Sequence, residues 1–341
     1  MALSGALYVY YVFGLFQTVT QSATIVANLL TIIAFANIRS LRTHTSNMLI
    51  YALSVTDFIW GIFQLGYYGV TYTYRYGPPG GEIGCMISVP FEYIYSAGNM
   101  LLIAISFDRV MLVSLDYSKY VKMTTKRRLK VTIAVCYLIC LAGAALELGL
   151  WNVAKRSIKA KLDYTHGCPF PARRMKFFGL FVSLFYFTLP LVCVSILSVI
   201  FINRLMARMR KNTQVGSNSR SVATTSTTTT THNGQEGSTA TDNANDENQQ
   251  GNAASKRYKK AAITLGALVS AMCVSMFPYS MYLLIIAPSG RDSTPVMLSF
   301  WYVLQLNPLL DPLFYAATQK DIREFYGTKI KNLIRWCQSS S

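Results

Sequence analysis

The sequence predicts an all-α membrane protein: a bundle of seven transmembrane helices followed by a short amphipathic eighth helix. Three observations lead there. Only 14% of the 341 residues are charged while 52% are hydrophobic, and soluble domains carry about 25% charge. The charge is segregated, so that the runs 6–36, 47–74, 85–107, 131–154, 177–203, 261–290 and 293–319 each hold none or a single acid. Every run exceeds the ~20 helical residues that cross a ~30 Å hydrocarbon core.

Backbone amides in lipid must be satisfied within their own segment, which selects helices; a barrel would need alternating strands of ~10 residues, and these runs do not alternate. The first run has no positive residue before it and is about twice as long as a secretory apolar core, so it is expected to stay as a helix. With the amino terminus outside, 23 of the 32 Lys and Arg fall on inner helix ends and loops, as positive-inside topology requires. The net charge of +17 then reads as cytoplasmic loops facing anionic lipid and a partner, with no need of nucleic acid.

Four segments follow. Residues 1–211 carry spanning helices one to five and 256–318 carry six and seven. Residues 319–341 form the amphipathic helix and cytoplasmic tail. Between helices five and six, 212–255 contain no Leu, Ile, Phe, Tyr or Trp; such a stretch cannot bury enough apolar surface to offset ordering and is expected to be a disordered loop, linker or regulatory. No internal repeat of the transporter kind is visible.

The histidines His44, His166 and His232 sit in three separate loops, and the seven cysteines show no paired metal spacing, so neither a zinc site nor a nucleophile–base pair can be assembled. An enzyme is not expected. Cys85, at the outer start of helix three, and Cys168, in the following outer loop, lie on the oxidising face, where a disulfide persists and would pin the loop over the bundle; two free thiols are the alternative.

Charge inside a bilayer is costly enough that each case is a functional candidate. These are Asp57, Glu92, Glu147 and Asp311, with Asp108 and Arg109 at the inner boundary. Pro308 and Pro312 flank Asp311; they should free backbone carbonyls and kink helix seven. Two carboxylates beside freed carbonyls suit a small cation or a shared proton, and satisfaction by neighbouring amides is the plainer reading.

"NLLTIIAF" with Asn28, "LSVTDF" with Asp57, "ISFDRV" with Asp108 and Arg109, Pro190, "FPY" with Pro278, and "DPLFY" with Asp311, Pro312 and Tyr315 together resemble the rhodopsin-like (class A) G-protein-coupled receptors. The resemblance spans all but the polar loop. "KKAAITLGAL" before "PYSMYLLI", and the segment after "DRV", look most like the amine branch, muscarinic acetylcholine and histamine receptors among it. The resemblance implies a plasma-membrane, multi-pass receptor with an extracellular amino terminus. Its partners would be a small extracellular ligand, a heterotrimeric G protein, membrane lipid, arrestin and receptor kinases. It makes Arg109 the switch at the inner end of helix three, Asp108 its restraint and Tyr315 a further switch residue. Like charges at Asp57 and Asp311 would have to be relieved, so a sodium ion or proton is expected there with help from Asn28 and Asn307.

Departures from the pattern are Val110 for a tyrosine, Cys136 or Tyr137 for the helix-four tryptophan, Met276 for a helix-six tryptophan, and Ser198 for an inner tyrosine. Where relatives hold an acid that restrains the arginine, Tyr258 stands between Arg257 and Lys259, so raised activity without ligand is expected. The amine-binding acid is Glu92 counted from Cys85, or Phe91 counted back from Arg109; one residue is missing between the landmarks. Glu92 would hold an ammonium ion, with Tyr95, Tyr279, Trp301 and Tyr302 as a cation–π cage or as ordinary packing.

Seven positive residues between 155 and 176 would repel a cation at the entrance, which keeps a peptide, lipid or anionic metabolite as the alternative ligand. After helix seven, Ile322, Phe325, Tyr326, Ile330, Leu333 and Ile334 can share one face of the amphipathic helix, and Cys337 near its end is a lipidation candidate. A retinal protein would need a lysine within 293–319, where none occurs; a secondary transporter is the remote alternative.

Overall fold

The computed structural model describes residues 2–43, 45–69, 81–157, 168, 170–225, 272–286 and 294–339. Helices account for nearly all of them. In chain order they are α1 (Ala2–Asn37), α2 (Arg39–Thr43), α3 (Asn47–Gln64), α4 (Gly81–Ser114), α5 (Tyr117–Met123), α6 (Lys126–Ser157), α7 (Lys176–Val182), α8 (Leu189–Thr225), α9 (Met272–Ile285), α10 (Thr294–Leu304), α11 (Asn307–Thr318) and α12 (Lys320–Ser339). Among the described residues five helical stretches are long and apolar enough to cross a membrane: Gly14–Asn37, Asn47–Tyr67, Gly81–Ser114, Lys126–Ser157 and Phe177–Arg208. The sixth and seventh runs are described only in part.

α1 shows how membrane helices invert the soluble rule. Gln17, Gln21, Thr24, Asn28 and Thr31 recur at helical spacing and are buried, whereas Leu15, Val19, Val26 and Leu29 are exposed. The apolar face meets lipid, and the polar stripe finds partners inside the bundle. α3 repeats this with Ser54, Asp57 and Gln64 buried beside Trp60. α4 lies between α3, α6 and α8 and buries residues on most of its surface.

Prolines organise the interior. A proline leaves the carbonyl four residues earlier without its helical donor, and in three cases a side chain from another helix supplies one. Pro190 frees the Tyr186 carbonyl, which Asn99 Nδ2 meets at 3.4 Å. Pro308 frees that of Leu304, which accepts from the Tyr95 hydroxyl at 3.4 Å. Pro312 frees that of Pro308, which Asn28 Nδ2 meets at 2.9 Å. The expected break in the seventh run occurs at Gln305 and Leu306, between α10 and α11. Asn28→Ala should strand the buried Pro308 carbonyl and cost about 1–3 kcal/mol, read as a lower unfolding temperature of detergent-solubilised protein. An unchanged temperature would mean that the carbonyl has another donor.

Wider π-helical turns follow α3 at Leu65–Gly69, join α7 to α8 at Ser183–Thr188 and close α9 at Tyr282–Ile286. Such turns re-aim the side chains beyond them and concentrate at functional sites. At Gly143 the space of a Cβ is taken by the Tyr186 hydroxyl and the Tyr93 ring, so glycine lets α6 lie close to α4 and to the turn Ser183–Thr188.

α8 runs on to Thr225. Residues 212–225, expected to belong to a structureless loop, are thus helical: once a helix is nucleated each further residue adds a hydrogen bond, and no proline interrupts this stretch. Residues 226–255 lie outside the described residues. α12 begins against α1 and α2, where Ile322 is buried, Ser40 of α2 donates to Asp321, and the Tyr326 hydroxyl donates to the Ala27 carbonyl of α1 at 2.8 Å. Further along, Ile330, Ile334 and Trp336 are exposed.

Candidate ligand site and intramembrane switch

Beneath the outer loop, α4 turns three successive residues to three neighbours, as 100° per residue requires. Phe91 stacks face to face on Phe63 of α3, centroids 4.2 Å apart. Glu92 is buried, and the Ser96 hydroxyl donates to its backbone carbonyl at 3.4 Å. Tyr93 donates its hydroxyl to Glu147 of α6 at 3.0 Å. Of the two residues that the spacing left open, Glu92 is buried and Phe91 is part-buried against α3.

A chain of aromatic contacts contributed by five helical runs reaches α4 at Tyr95, on the same helix as Glu92. Phe187 meets Tyr279 at 5.3 Å, Tyr279 meets Trp301 at 5.3 Å, Trp301 meets Trp60 at 6.3 Å, and Trp60 meets Tyr95 at 5.2 Å. Tyr95, Tyr279 and Trp301 are therefore brought together. Tyr302, one residue on from Trp301, instead packs edge-on against Phe16 of α1, with centroids 6.0 Å apart. Trp60, Phe63 and Phe187 were not singled out in the sequence; Trp60 follows Asp57 by three residues on the same helix face, a spacing that could have flagged it.

The outer loop enters the bundle. Cys85 and Cys168 are bonded, with Cα atoms 5.4 Å apart, as their placement suggested. Past the bond, Phe170 has φ 41°, in the left-handed region that a bulky residue rarely adopts, and a single 3₁₀ turn over Pro171–Arg174 follows. Arg173 Nε lies 2.9 and 3.1 Å from the two Glu147 carboxylate oxygens, and its guanidinium sits 4.2 Å from the centre of the Phe170 ring. Glu147 is wholly buried. Burial works against the charge on Arg173, but Glu147 and then Glu92 more than offset it, so its pKa lies above the ordinary guanidinium range. Nothing in the sequence separated Arg173 from the six other positive residues of that loop.

Deeper, the Asp57 and Asp311 carboxyls are both buried where α3 packs against α11. Asp57 Oδ2 and Asn28 Oδ1 are buried without a hydrogen-bond donor among the described residues, while Ser275 donates to Asn307 Oδ1 at 2.5 Å. Paired acids with orphaned oxygens fit a sodium ion or a shared proton, either of which would relieve repulsion in a low dielectric. Asp57, Asp311 and Asn28 would be the holding groups.

At the inner boundary Asp108 is buried and accepts from the Tyr120 hydroxyl at 2.9 Å. Tyr120 lies on α5, and burial raises its hydroxyl above the ordinary pKa, so it remains a donor at neutral pH. Arg109 is half-buried beside Asp108, and Tyr315 is buried on α11. Arg257, Tyr258 and Lys259 lie outside the described residues. Cys337 is a free, exposed thiol on α12. Of the two stand-ins for the helix-four tryptophan, Tyr137 makes the cross-helix contact, its hydroxyl 2.5 Å from that of Thr56.

Residues 27–315 match the family described as 7 transmembrane receptor (rhodopsin family). The chain is similar to the histamine H2 receptor of Cavia porcellus, 25% identical over 312 residues that cover 89% of this chain and 75% of that protein. It is 23% identical to the trace amine-associated receptor 365 of Petromyzon marinus, with the same coverage. A shorter match, 28% identical over 177 residues, joins 51% of this chain to 26% of the muscarinic acetylcholine receptor M3 of Gallus gallus. These relatives are receptors and not enzymes, and they fall in the amine branch. With the family match covering most of its length, this chain belongs to the rhodopsin family of seven-transmembrane receptors.

Proposed function

We propose that this receptor binds a small organic cation, a protonated or quaternary amine, at Glu92 and relays the event across the plasma membrane to a heterotrimeric G protein. One observation carries the ligand class: a buried carboxylate beside a chain of aromatic rings. Aromatic faces attract a cation that a carboxylate anchors, and both attractions gain from the low dielectric. The names of the relatives point the same way. Binding would bias a two-state equilibrium whose inner elements are Arg109, Asp108 with its Tyr120 tie, and Tyr315. Asp57 and Asp311, sharing sodium or a proton, would lie between the two ends.

The amino terminus is extracellular in this reading. α12 lies along the inner membrane surface, where its exposed Ile330 and Ile334 meet lipid, and Cys337 is its acylation point. Arrestin and receptor kinases would act on the same inner face. Arg257 and Lys259 flanking Tyr258 would leave Arg109 without an acid to restrain it, and would raise basal signalling. A peptide, lipid or anionic metabolite is the second reading, favoured by the seven positive residues between 155 and 176.

The test is a panel of amines, peptides and anionic metabolites applied to cells expressing the receptor, read on several G proteins at once. Amines should stimulate nucleotide exchange. Stimulation by anionic metabolites alone would replace the amine reading with the second one.

A further inference from the structure

Between α8 and α9 lies a groove of about 620 Å³, within the ~300–1,000 Å³ of small-molecule sites. Its walls include Leu191, Ser195 and Ile196 of α8 and Val274, Phe277 and Pro278 of α9, which fall at the middle of the apolar runs 177–203 and 261–290. Ile196, Val274 and Phe277 are each more than half exposed, so the groove opens sideways toward lipid. Any occupant must be soluble in hydrocarbon.

One polar group in this wall is left over. Pro278 lacks an amide hydrogen, so the Val274 carbonyl, one turn earlier, loses its helical donor. The carbonyls freed by Pro190, Pro308 and Pro312 each accept from a side chain of another helix; among the described residues no side chain does the same for Val274. The neighbouring hydroxyl and thiol are matched to each other. Ser195 spends its one hydrogen on the Leu191 carbonyl at 2.7 Å, so the Cys273 thiol, 3.4 Å from the Ser195 oxygen, is the donor between the two. A proline ring crowds the carbonyl four residues before it, and both Val274 and Pro278 line the groove. The freed carbonyl therefore lies on the groove side of α9, where hydrocarbon supplies no donor and an unpaired carbonyl is costly.

We propose that this groove binds a lipid-soluble molecule with an apolar body and a single hydroxyl donor, a phenol or alcohol dissolved in the bilayer, which donates to the Val274 carbonyl. The fit is one of complementary partial charge: a hydroxyl hydrogen against a carbonyl oxygen that the helix leaves unpaired, with apolar walls for the rest. A charged ligand is excluded by the cost of leaving water, and an acyl chain fits the walls but has no hydrogen to give. Pro278 is followed by Tyr279, whose ring meets Phe187 at 5.3 Å, so the groove backs onto the aromatic chain from the lipid side. The inference is independent of the amine reading.

The experiment irradiates the full-length receptor in lipid nanodiscs with a thymol derivative carrying a small alkyl diazirine, and maps the labelled peptides by mass spectrometry. The competitors are thymol and p-cymene, which share one carbon skeleton and differ only in the hydroxyl. Concentrations are counted in the bilayer, so that partitioning cancels. Label should fall within 191–196 and 273–278, and thymol should displace it at about two- to tenfold lower concentration than p-cymene, the worth of one neutral hydrogen bond. Pro278→Ala supplies an amide hydrogen to the Val274 carbonyl, and should make the two competitors equal while label is retained. Val274→Trp, at a lipid-exposed position, fills the groove and should abolish the label.

Equal displacement by thymol and p-cymene in wild type overturns the proposal, leaving a crevice that any acyl chain can fill. Label that survives Val274→Trp overturns it too, as does a thymol preference that persists in a Pro278→Ala receptor shown to unfold cooperatively. Should Pro278→Ala not fold, the wild-type comparison and Val274→Trp decide the matter.

Discussion

Replacing Glu147 by alanine should destabilise the receptor by about 3 kcal/mol, since breaking a buried ion pair from one side strands the other charge. Two losses combine. The Arg173 guanidinium loses its ion-pair partner while keeping the face of Phe170, and the buried Tyr93 hydroxyl loses its acceptor. Arg173 is 23% exposed, so part of the penalty can be relieved by swinging outward, at the expense of the packing that Gly179 and Ala172 provide. The expected readout is a sharp fall in surface display and in the unfolding temperature of solubilised protein. Glu147→Gln/Arg173→Gln should recover most of both, because neutral partners can still hydrogen-bond. If Glu147→Ala alone is as stable as wild type, the pair carries no structural weight and the loop is held by the disulfide alone.

Much of this structure was legible because lipid makes charge and polarity informative. Asp57 and Asp311 stood out as acids in apolar runs 254 positions apart, and the fold brings them together because Pro308 and Pro312 open the helix beside one of them. Cys85 and Cys168 could be paired from their shared outer placement once the spans were known. Asn28 was legible as a polar residue in a membrane helix, but its partner was not. Its Nδ2 serves a carbonyl freed by a proline 284 residues away, and only three-dimensional proximity reveals that.

What stayed hidden depends on side-chain direction and loop path. Trp301 and Tyr302 are adjacent and equally aromatic, yet a rotation of 100° sends one to the ring chain and the other to α1. Glu92 and Phe91 could not be ranked while one residue was missing between landmarks, and the exposed faces of α4 gave no phase. Arg173 was invisible among like-charged neighbours, because its role comes from an inward turn after the disulfide. The helical stretch 212–225 lacks an apolar face, so periodicity could not announce it; it extends from a helix whose stability is set elsewhere.

The amine reading stands or falls on Glu92. Glu92→Gln keeps shape and hydrogen bonding while removing the charge that would anchor an ammonium ion. In the absence of that charge the aromatic chain from Phe187 to Tyr95 still offers cation–π attraction, so binding should weaken without vanishing. A charge-assisted contact contributes about 1.5–3 kcal/mol, which corresponds to a potency loss of about ten- to 150-fold. Arg173 and Glu147 remain paired in this variant, so its fold should hold and its surface expression should match wild type. The deciding measurement is amine-stimulated nucleotide exchange on the coupled G protein, as full concentration–response curves for wild type and Glu92→Gln at equal surface density. A curve shifted rightward by that factor, with the maximum retained, is the expected result. Superimposable curves would contradict it and place the cation elsewhere in the bundle.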